Sequence, residues 1–574
     1  MDFKRELAAT LAQAINADSD AGAEVDDILS AIEIPPDSQM GDYAFPCFRL
    51  AKTMRKAPQI IARELCETME LPAFIEKVDV ASAYLNFTLN RKEFVREALR
   101  RLQARGADYG KSDIGGGRNV VIDYSSPNIA KNFHIGHLRT TVIGRALYNI
   151  MNFVGYKSVG INHLGDWGTQ FGKLITAFVK WGSKEDVECD GIQELNRLYV
   201  LFHEEAESDS GLEDEARAWF LNMQNGDEEA LSVWKWFVDV SMAEFDRIYE
   251  MLGVKFDHFT GESFYNDKMD VVVNELRAKN LLVQSEGATI VDLSSHNMPP
   301  CLILRSDGGT LYHTRDIAAA LYRKRTFDFA KALYVTAMDQ NLHFAQLFRV
   351  IEEMGYEWAA DMTHVPYGLV SLESGKLSTR KGNVILMEEL LGEAVSRTLS
   401  IIEERNPSLS DKESIARDVG IGAVIFNDLY NSRIKDVVFS WERVLSFEGE
   451  SGPYVQYTHA RACSVLEKAG VDDNSDLISG IDYSLLSDQA SFDIVKLVYI
   501  FGDKVQESAA KLEPYVIARY LVDMAQAFNK FYHDNQILTD DAELRAARLA
   551  LVYAVRVVLK SGLALLGINA PVKM

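Results

Sequence analysis

Cysteine is scarce in this chain and scattered. Five cysteines occur in 574 residues, at Cys47, Cys66, Cys189, Cys301 and Cys463. No CxxC pair and no Cys/His tetrad at zinc spacing is among them, which excludes a disulfide framework and a structural zinc site of the usual kind. Widely spaced single thiols point to a reducing compartment, and the expected location is the cytoplasm. No run approaches the roughly 18 uncharged apolar residues of a spanning helix. The most apolar late stretch, Leu549 to Ile568, is interrupted by Arg556 and Lys560. The start, Met1-Asp2-Phe3-Lys4-Arg5-Glu6, lacks the apolar stretch of a signal peptide. Basic residues are outnumbered, 60 against 84 acidic, for a formal net charge of −24. Such a chain does not coat polyanions indiscriminately, so a nucleic acid partner needs a local basic groove. Internal repeats and low-complexity tracts are also missing.

What remains is the composition of a soluble globular protein, 47% apolar and 25% charged. At about 100–200 residues per domain its length predicts three to five domains. Three regions are expected. Residues 1–112 read as a small α+β domain. Leu7, Leu11 and Ile15 recur at helical spacing, a helix is expected from Pro58 to Met69, and Ala83–Leu89 alternates like a strand. Residues 113–387 begin with an apolar run, Asn119–Tyr124, then a loop, a helix from about His137 to Phe153, and a second strand at Val159–His163. This is a Rossmann-like, doubly wound α/β start. A helical, acidic insertion spans about 168–253. Strands are expected again at 288–293, 301–305 and 332–336. Residues 388–574 are read as all-α, with Thr539 or Asp540 capping the last helix and Glu543 in its first turn.

The densest signal is Ser125-Ser126-Pro127-Asn128-Ile129-Ala130-Lys131-Asn132-Phe133-His134-Ile135-Gly136-His137. It lies where the first strand hands over to a helix, the carboxyl edge at which parallel sheets bind ligands. A helix start offers free N–H groups to phosphate. His134 and His137 share one face, where their imidazoles can hold a triphosphate, and Gly136 lets an adenine approach the backbone. Two histidines near a helix start also arise by chance, and only the context argues otherwise. A second segment, Gly375-Lys376-Leu377-Ser378-Thr379-Arg380-Lys381-Gly382-Asn383, is a Gly-bounded cationic loop suited to pyrophosphate. In a third, Leu311–Asp316, Tyr312 and Asp316 are one helical turn apart. Asp316 could equally pair with its neighbour Arg315. In Tyr454-Val455-Gln456-Tyr457-Thr458-His459-Ala460-Arg461, Tyr454, Tyr457 and Arg461 share a helix face. Periodicity alone reads that face as a core stripe, whereas its groups also suit stacking on unpaired bases.

These blocks resemble the class I aminoacyl-tRNA synthetases, and the arginyl-tRNA synthetases in particular. His134–His137 is similar to their HIGH signature, and 375–383 resembles a KMSKS loop in which Thr379 replaces the second lysine. The resemblance runs over essentially the whole chain. It implies a ligase that joins L-arginine to ATP as arginyl-adenylate, then transfers the arginyl group to the 3′ end of tRNA(Arg). By this resemblance the catalytic residues are His134, His137, Lys131, Lys376, Arg380 and Lys381. ATP is held by His134, Gly136, His137 and Lys376. Arginine is held by Asp123, Tyr312 and Asp316 around the guanidinium, and by Asn128 and Gln340 at its α-amino and carboxylate end, with Ser125 beside them. A carboxylate pair suits the planar five-donor guanidinium. The tRNA is contacted by Tyr454, Tyr457, Arg461 and the terminal Met574 at the anticodon, and by Tyr84 and Asn86 in the N-terminal domain, with Lys52, Arg55, Lys56 and Arg63 nearby for phosphates.

Mg²⁺ is expected on the ATP phosphates, with no dedicated protein metal site. A monomer, no membrane, tRNA-dependent activation and no editing are also expected; a pocket built for a guanidinium needs no proofreading. His343, in Gln340–Phe344, is either near the nucleotide or a packed structural histidine. Two other readings compete: a small-molecule nucleotidylyltransferase, and a synthetase-like RNA-binding or arginine-sensing protein without catalysis.

Overall fold

The computed structural model describes all residues except 1–2, 19–21, 36, 38–39, 307–308, 310, 373–384 and 472–475. Lys376, Arg380 and Lys381 therefore lie outside the described residues. The chain forms two compact units. One comprises Met1–Tyr109, Ser464–Ile500 and Gln526–Val558; the other comprises Gly110–Cys463, Phe501–Ala525 and Leu559–Met574.

The first unit holds a three-stranded antiparallel sheet with Tyr84–Leu89 in its centre, between Tyr43–Pro46 and Ile75–Ala81. Helix Phe3–Asp18 carries Leu7, Leu11 and Ile15 into the core. Helix Pro58–Thr68 starts with Pro58 in its first turn, where its missing N–H leaves no gap in the ladder. In helix Arg91–Arg105 the Asn90 side chain accepts from Glu93 N–H and caps the start. Asn86 is only 6% exposed, because the central strand buries it. Tyr84 is half-buried, edge-on to Phe48 at 5.2 Å.

The second unit is built on a five-stranded parallel sheet. Its strands are β1 (Asn119–Asp123), β2 (Lys157–Asn162), β3 (His258–Phe259), β4 (Lys331–Tyr334) and β5 (Met362–His364). Their order is β5-β4-β1-β2-β3, all parallel. The chain winds outward from β1 in one direction, then from β1 through β4 in the other. The switch point thus lies between β1 and β4, where Asp123 and Tyr334 are register partners at the carboxyl ends.

Helix α1 (Leu138–Phe153) crosses from β1 to β2, and α2 (Glu228–Met251) ends the helical insertion that starts at Thr169. Helices α3 (Tyr312–Phe327) and α4 (Asn341–Glu353) flank β4. Between α2 and α3 an antiparallel sheet of Leu282–Ser285, Ala288–Val291 and Cys301–Leu304 adds apolar residues to the same core as Val121, Ile161, Ile317 and Leu347. The late helices include α5 (Gly452–Lys468).

Two details depart from the sequence reading. The last helix, Ala542–Leu565, is capped by neither Thr539 nor Asp540. Asp541 Oδ1 accepts from Glu543 and Leu544 N–H, because the cap must directly precede the first helical residue. The late region also contains a strand, Val437–Phe439, paired in parallel with Val370–Leu372. Three residues carry too little pattern to be read against flanking helices.

A buried cation ties this pairing to α1. Arg139 lies 3.0 Å from Asp428 in an ion pair with both side chains buried, and its Nη1 donates to Gly368 O at 2.9 Å and Lys435 O at 2.7 Å.

Candidate functional site

After β1 the backbone turns through left-handed conformations at Ser125, Ser126 and Ala130, with φ of 71°, 48° and 60°. None is glycine, so each costs of the order of 1–3 kcal/mol unless its surroundings enforce it. Each of the three N–H groups donates to a side-chain oxygen on a different element. Ser125 N–H reaches Thr140 Oγ1 on α1 at 3.0 Å, Ser126 N–H reaches Asn162 Oδ1 on β2 at 3.2 Å, and Ala130 N–H reaches Ser241 Oγ on α2 at 3.0 Å. Asn162 and Ser241 are fully buried. The Ser125 hydroxyl is also committed, at 2.8 Å from Tyr249 OH and 2.9 Å from Thr141 Oγ1. Thr140, Asn162, Ser241 and Tyr249 were not legible as site residues. Each is an ordinary polar residue whose partner is distant in sequence.

The histidine turn closes on itself. His134 caps the short 3₁₀ turn Ile135–His137. Its Nδ1 accepts from Gly136 N–H at 3.0 Å, and His137 Nδ1 accepts from His134 N–H at 3.1 Å. A nitrogen that accepts a backbone N–H carries no proton, so both rings are Nε2–H tautomers with that donor left for a ligand. The rings lie 4.0 Å apart. Burial, the His134 ring and the Lys131 charge push His137 down to about 3. Burial, with Lys131, also lowers His134. At neutral pH the turn therefore presents uncharged imidazole donors. Gly136 is required by the turn itself, because a Cβ there would sit 2.7 Å from His134 Cε1. Lys131 is exposed, with its ammonium 5.8 Å from the Tyr199 ring centre.

The loop after β2 contributes a second glycine by the same logic. Gly165 bridges to Asn128, and a Cβ at Gly165 would overlap Asn128 Oδ1. Asn128 is exposed at this edge. Asp166 turns inward, accepting from Ser263 N–H at 2.8 Å and lying 2.6 Å from Ser263 Oγ.

Across the switch point the chemistry is carried by charge. Asp123 Oδ2 is 2.8 Å from the buried Arg323 guanidinium, and its Oδ1 accepts from Ser126 Oγ at 2.9 Å. Asp316 does not pair with Arg315. Arg315 lies 3.1 Å from Glu262, and Asp316 Oδ2 meets His343 Nε2 at 2.7 Å. His163 Nδ1 donates to Thr260 O at 2.9 Å, and its Nε2 stands 3.9 Å from Asp316 Oδ1. Burial alone would raise the Asp316 carboxyl; the hydrogen bond to His343 and the nearby His163 and Arg323 hold it below the usual carboxylate range. Burial, with Asp316 and Asp166 nearby and only Arg315 opposing, pushes Glu262 up to about 7. Tyr312, at the first turn of α3, is 62% exposed. Gln340 is exposed after β4. His343 thus sits on Asp316. Sequence reasoning missed Arg323 and Glu262.

On α5, Tyr457 is 38% exposed with the Arg461 guanidinium 4.8 Å over its ring, and Tyr454 is half-buried. The buried face of α5 is the other one, with Val455, Gln456 and His459. The core-stripe alternative is therefore rejected. Gln456 Nε2 donates to Asn569 O at 2.8 Å, and His459 Nδ1 meets Pro571 O at 3.0 Å. The second anchor lies three residues before Met574.

No described helix is long and apolar enough to cross a membrane. No cluster of three or more His, Cys, Asp or Glu suited to a metal ion occurs among the described residues.

Three family models match: "tRNA synthetases class I (R), catalytic domain" over residues 100–441, "DALR anticodon binding domain" over 455–574, and "Arginyl tRNA synthetase N terminal domain" over 2–89. The chain is 54% identical over 573 residues to an arginine–tRNA ligase of Alkaliphilus metalliredigens, covering 100% of both chains. It is 54% identical over 549 residues to one of Clostridioides difficile, covering 96% of each. In structure it is similar to an arginyl-tRNA synthetase of Thermus thermophilus, with a TM-score of 0.81, 27% identity and 100% of both chains covered.

Proposed function

Because the chain belongs to the arginyl-tRNA synthetase family, we propose that its site joins L-arginine to ATP as arginyl-adenylate and passes the arginyl group to the 3′ end of tRNA(Arg). The observation that carries this is the reciprocal imidazole cap. It fixes two neutral Nε2–H donors at the carboxyl edge of β1, ready for phosphate oxygens as charge grows on them.

In this reading the arginine carboxylate attacks the α-phosphorus of ATP, and the bond to the bridging oxygen of pyrophosphate breaks. His134, Gly136 and His137 hold the nucleotide, with Lys376. Lys131, Lys376, Arg380 and Lys381 supply cations for the transition state and for the leaving pyrophosphate. Asp316, Tyr312 and Asp123 face the guanidinium. Asn128 and Gln340, both exposed at the same edge, hold the α-amino and carboxylate end. Ser125 contributes by locking the loop that carries Asn128. Mg²⁺ would come with the ATP phosphates and would offset their charge, with no dedicated protein site.

Tyr454, Tyr457, Arg461 and Met574 read the anticodon. Tyr84 and Asn86 are assigned to the N-terminal tRNA contact, where the half-buried Tyr84 offers more surface than the buried Asn86. The domains fall at 1–112, 113–387 with the insertion at about 168–253, and 388–574. The enzyme works as a cytoplasmic monomer, activates arginine only with tRNA bound, and does not edit.

The test is arginine-dependent exchange of pyrophosphate into ATP, with and without tRNA(Arg). Exchange only with tRNA supports the whole reading. Exchange without tRNA keeps the ligase and removes the tRNA requirement. No exchange by folded protein in either condition returns the arginine-sensing alternative.

A further inference from the structure

Helix α3 carries three site residues along one line. Tyr312, Asp316 and Arg323 are four and seven residues apart, so at about 100° per residue they fall within about 40° of each other on the helix wheel. The first is exposed, the second half-buried and the third 1% exposed. The line therefore runs from the mouth of the site to its floor.

At the floor stands an arginine side chain belonging to the protein. Its guanidinium lies 2.8 Å from Asp123 Oδ2 and 5.5 Å from the centre of the Tyr334 ring. Asp123 and Tyr334 are the register partners at the ends of β1 and β4, so Arg323 closes the switch point from beneath. Burial works against its charge, but Asp123 beside it holds the proton on. Of the two carboxylates assigned to the substrate guanidinium, Asp123 is the one that Arg323 touches, so one fixed positive charge offsets it. Asp316 is held instead by His343, at 2.7 Å.

We propose that Arg323 is a positioning residue of the arginine pocket: it pins Asp123 and offsets its charge, so that Asp123 stays in place for the substrate cation. This rests on the ligase reading above. Without Arg323 the buried Asp123 carboxylate would lose its charged partner and would take up a proton or swing toward water. Either change alters how arginine is bound, with no direct consequence for ATP, whose donors lie on the histidine turn.

The experiment uses the full chain with tRNA(Arg), reading KM for arginine and KM for ATP in pyrophosphate exchange. Arg323→Met is expected to raise KM for arginine about tenfold or more and leave KM for ATP within about twofold, since a buried charge loses its partner on one side of the site only. Arg323→Lys, which keeps the charge without the fork, is expected to recover to within about threefold of wild type. The double variant Asp123→Asn with Arg323→Met buries no unpaired charge. If Arg323 acts through Asp123, its KM for arginine matches that of Asp123→Asn alone. KM values for arginine and ATP rising together, or a double variant that multiplies the two single effects, would overturn the proposal. Should Arg323→Met fail to fold, the lysine variant and the double variant still decide. Should wild type show no exchange, the ligase reading falls first, and calorimetric arginine binding across the same variants decides on Arg323.

Discussion

The two sides of this site are built in opposite ways. On the side proposed for the nucleotide a few consecutive residues cap one another, and the donors they present are uncharged. On the side proposed for arginine, Arg315, Asp316 and Arg323 of α3 meet charged or titratable partners from elsewhere in the chain, Glu262, His343 and Asp123. The first is local geometry and the second is long-range bookkeeping of charge. A phosphate needs donors that stay put as its charge grows, which backbone-fixed imidazoles provide. A guanidinium needs several carboxylate acceptors at once, which distant stretches of chain must bring together.

The contrast can be broken most directly at His137. His137→Ala should lower kcat of exchange by about 10²–10³, the usual loss for one fixed donor, with KM for arginine within about twofold. A comparable rise in KM for arginine would show that the two sides are not separable. Next comes Asp316→Asn. Removing one partner of a buried charged pair costs about 2–5 kcal/mol, so KM for arginine should climb at least about thirtyfold while KM for ATP stays level.

Gly165→Ala asks whether the loop packing matters. The new methyl meets Asn128 Oδ1, and overpacking of this kind costs about 1–3 kcal/mol. A lower melting temperature is expected, together with weaker arginine binding by calorimetry.

The smallest effects are in pH. His137 has a folded pKa of about 3, below its unfolded value, so its contribution to stability is complete above about pH 6.5 and is lost as pH falls toward 3. Glu262 has the opposite sign. Its folded pKa of about 7 lies above its unfolded value, so its contribution is complete below about pH 4.5 and is lost as pH rises through 7. Denaturant unfolding of His137→Asn and Glu262→Gln across pH 4 to 8 should therefore change the stability slope in opposite directions. Parallel slopes would erase the distinction between the two sides.

This difference also decides what the sequence reveals. The histidine turn is contiguous, so Ser125–His137 was readable as one block. Helices and strands with a clear period, such as Pro58–Thr68 and Tyr84–Leu89, were equally plain. The partnership of Asp123 with Arg323 was not, since 200 residues separate them and an arginine inside a helix usually reads as surface. His343 was visible as a candidate, but its partner was not. The three oxygens that hold the left-handed turn, on Thr140, Asn162 and Ser241, lack any pattern of their own. Asp541 was missed as a cap by one position, within the usual uncertainty of helix ends.

Arg139 concentrates several long-range contacts in one side chain. Its guanidinium binds Gly368 O before the segment 373–384 and Lys435 O after it, and the strands on either side pair as well. A single change at Arg139 therefore withdraws a partner from Asp428, Gly368 and Lys435 at once, three places that the order of the chain keeps apart.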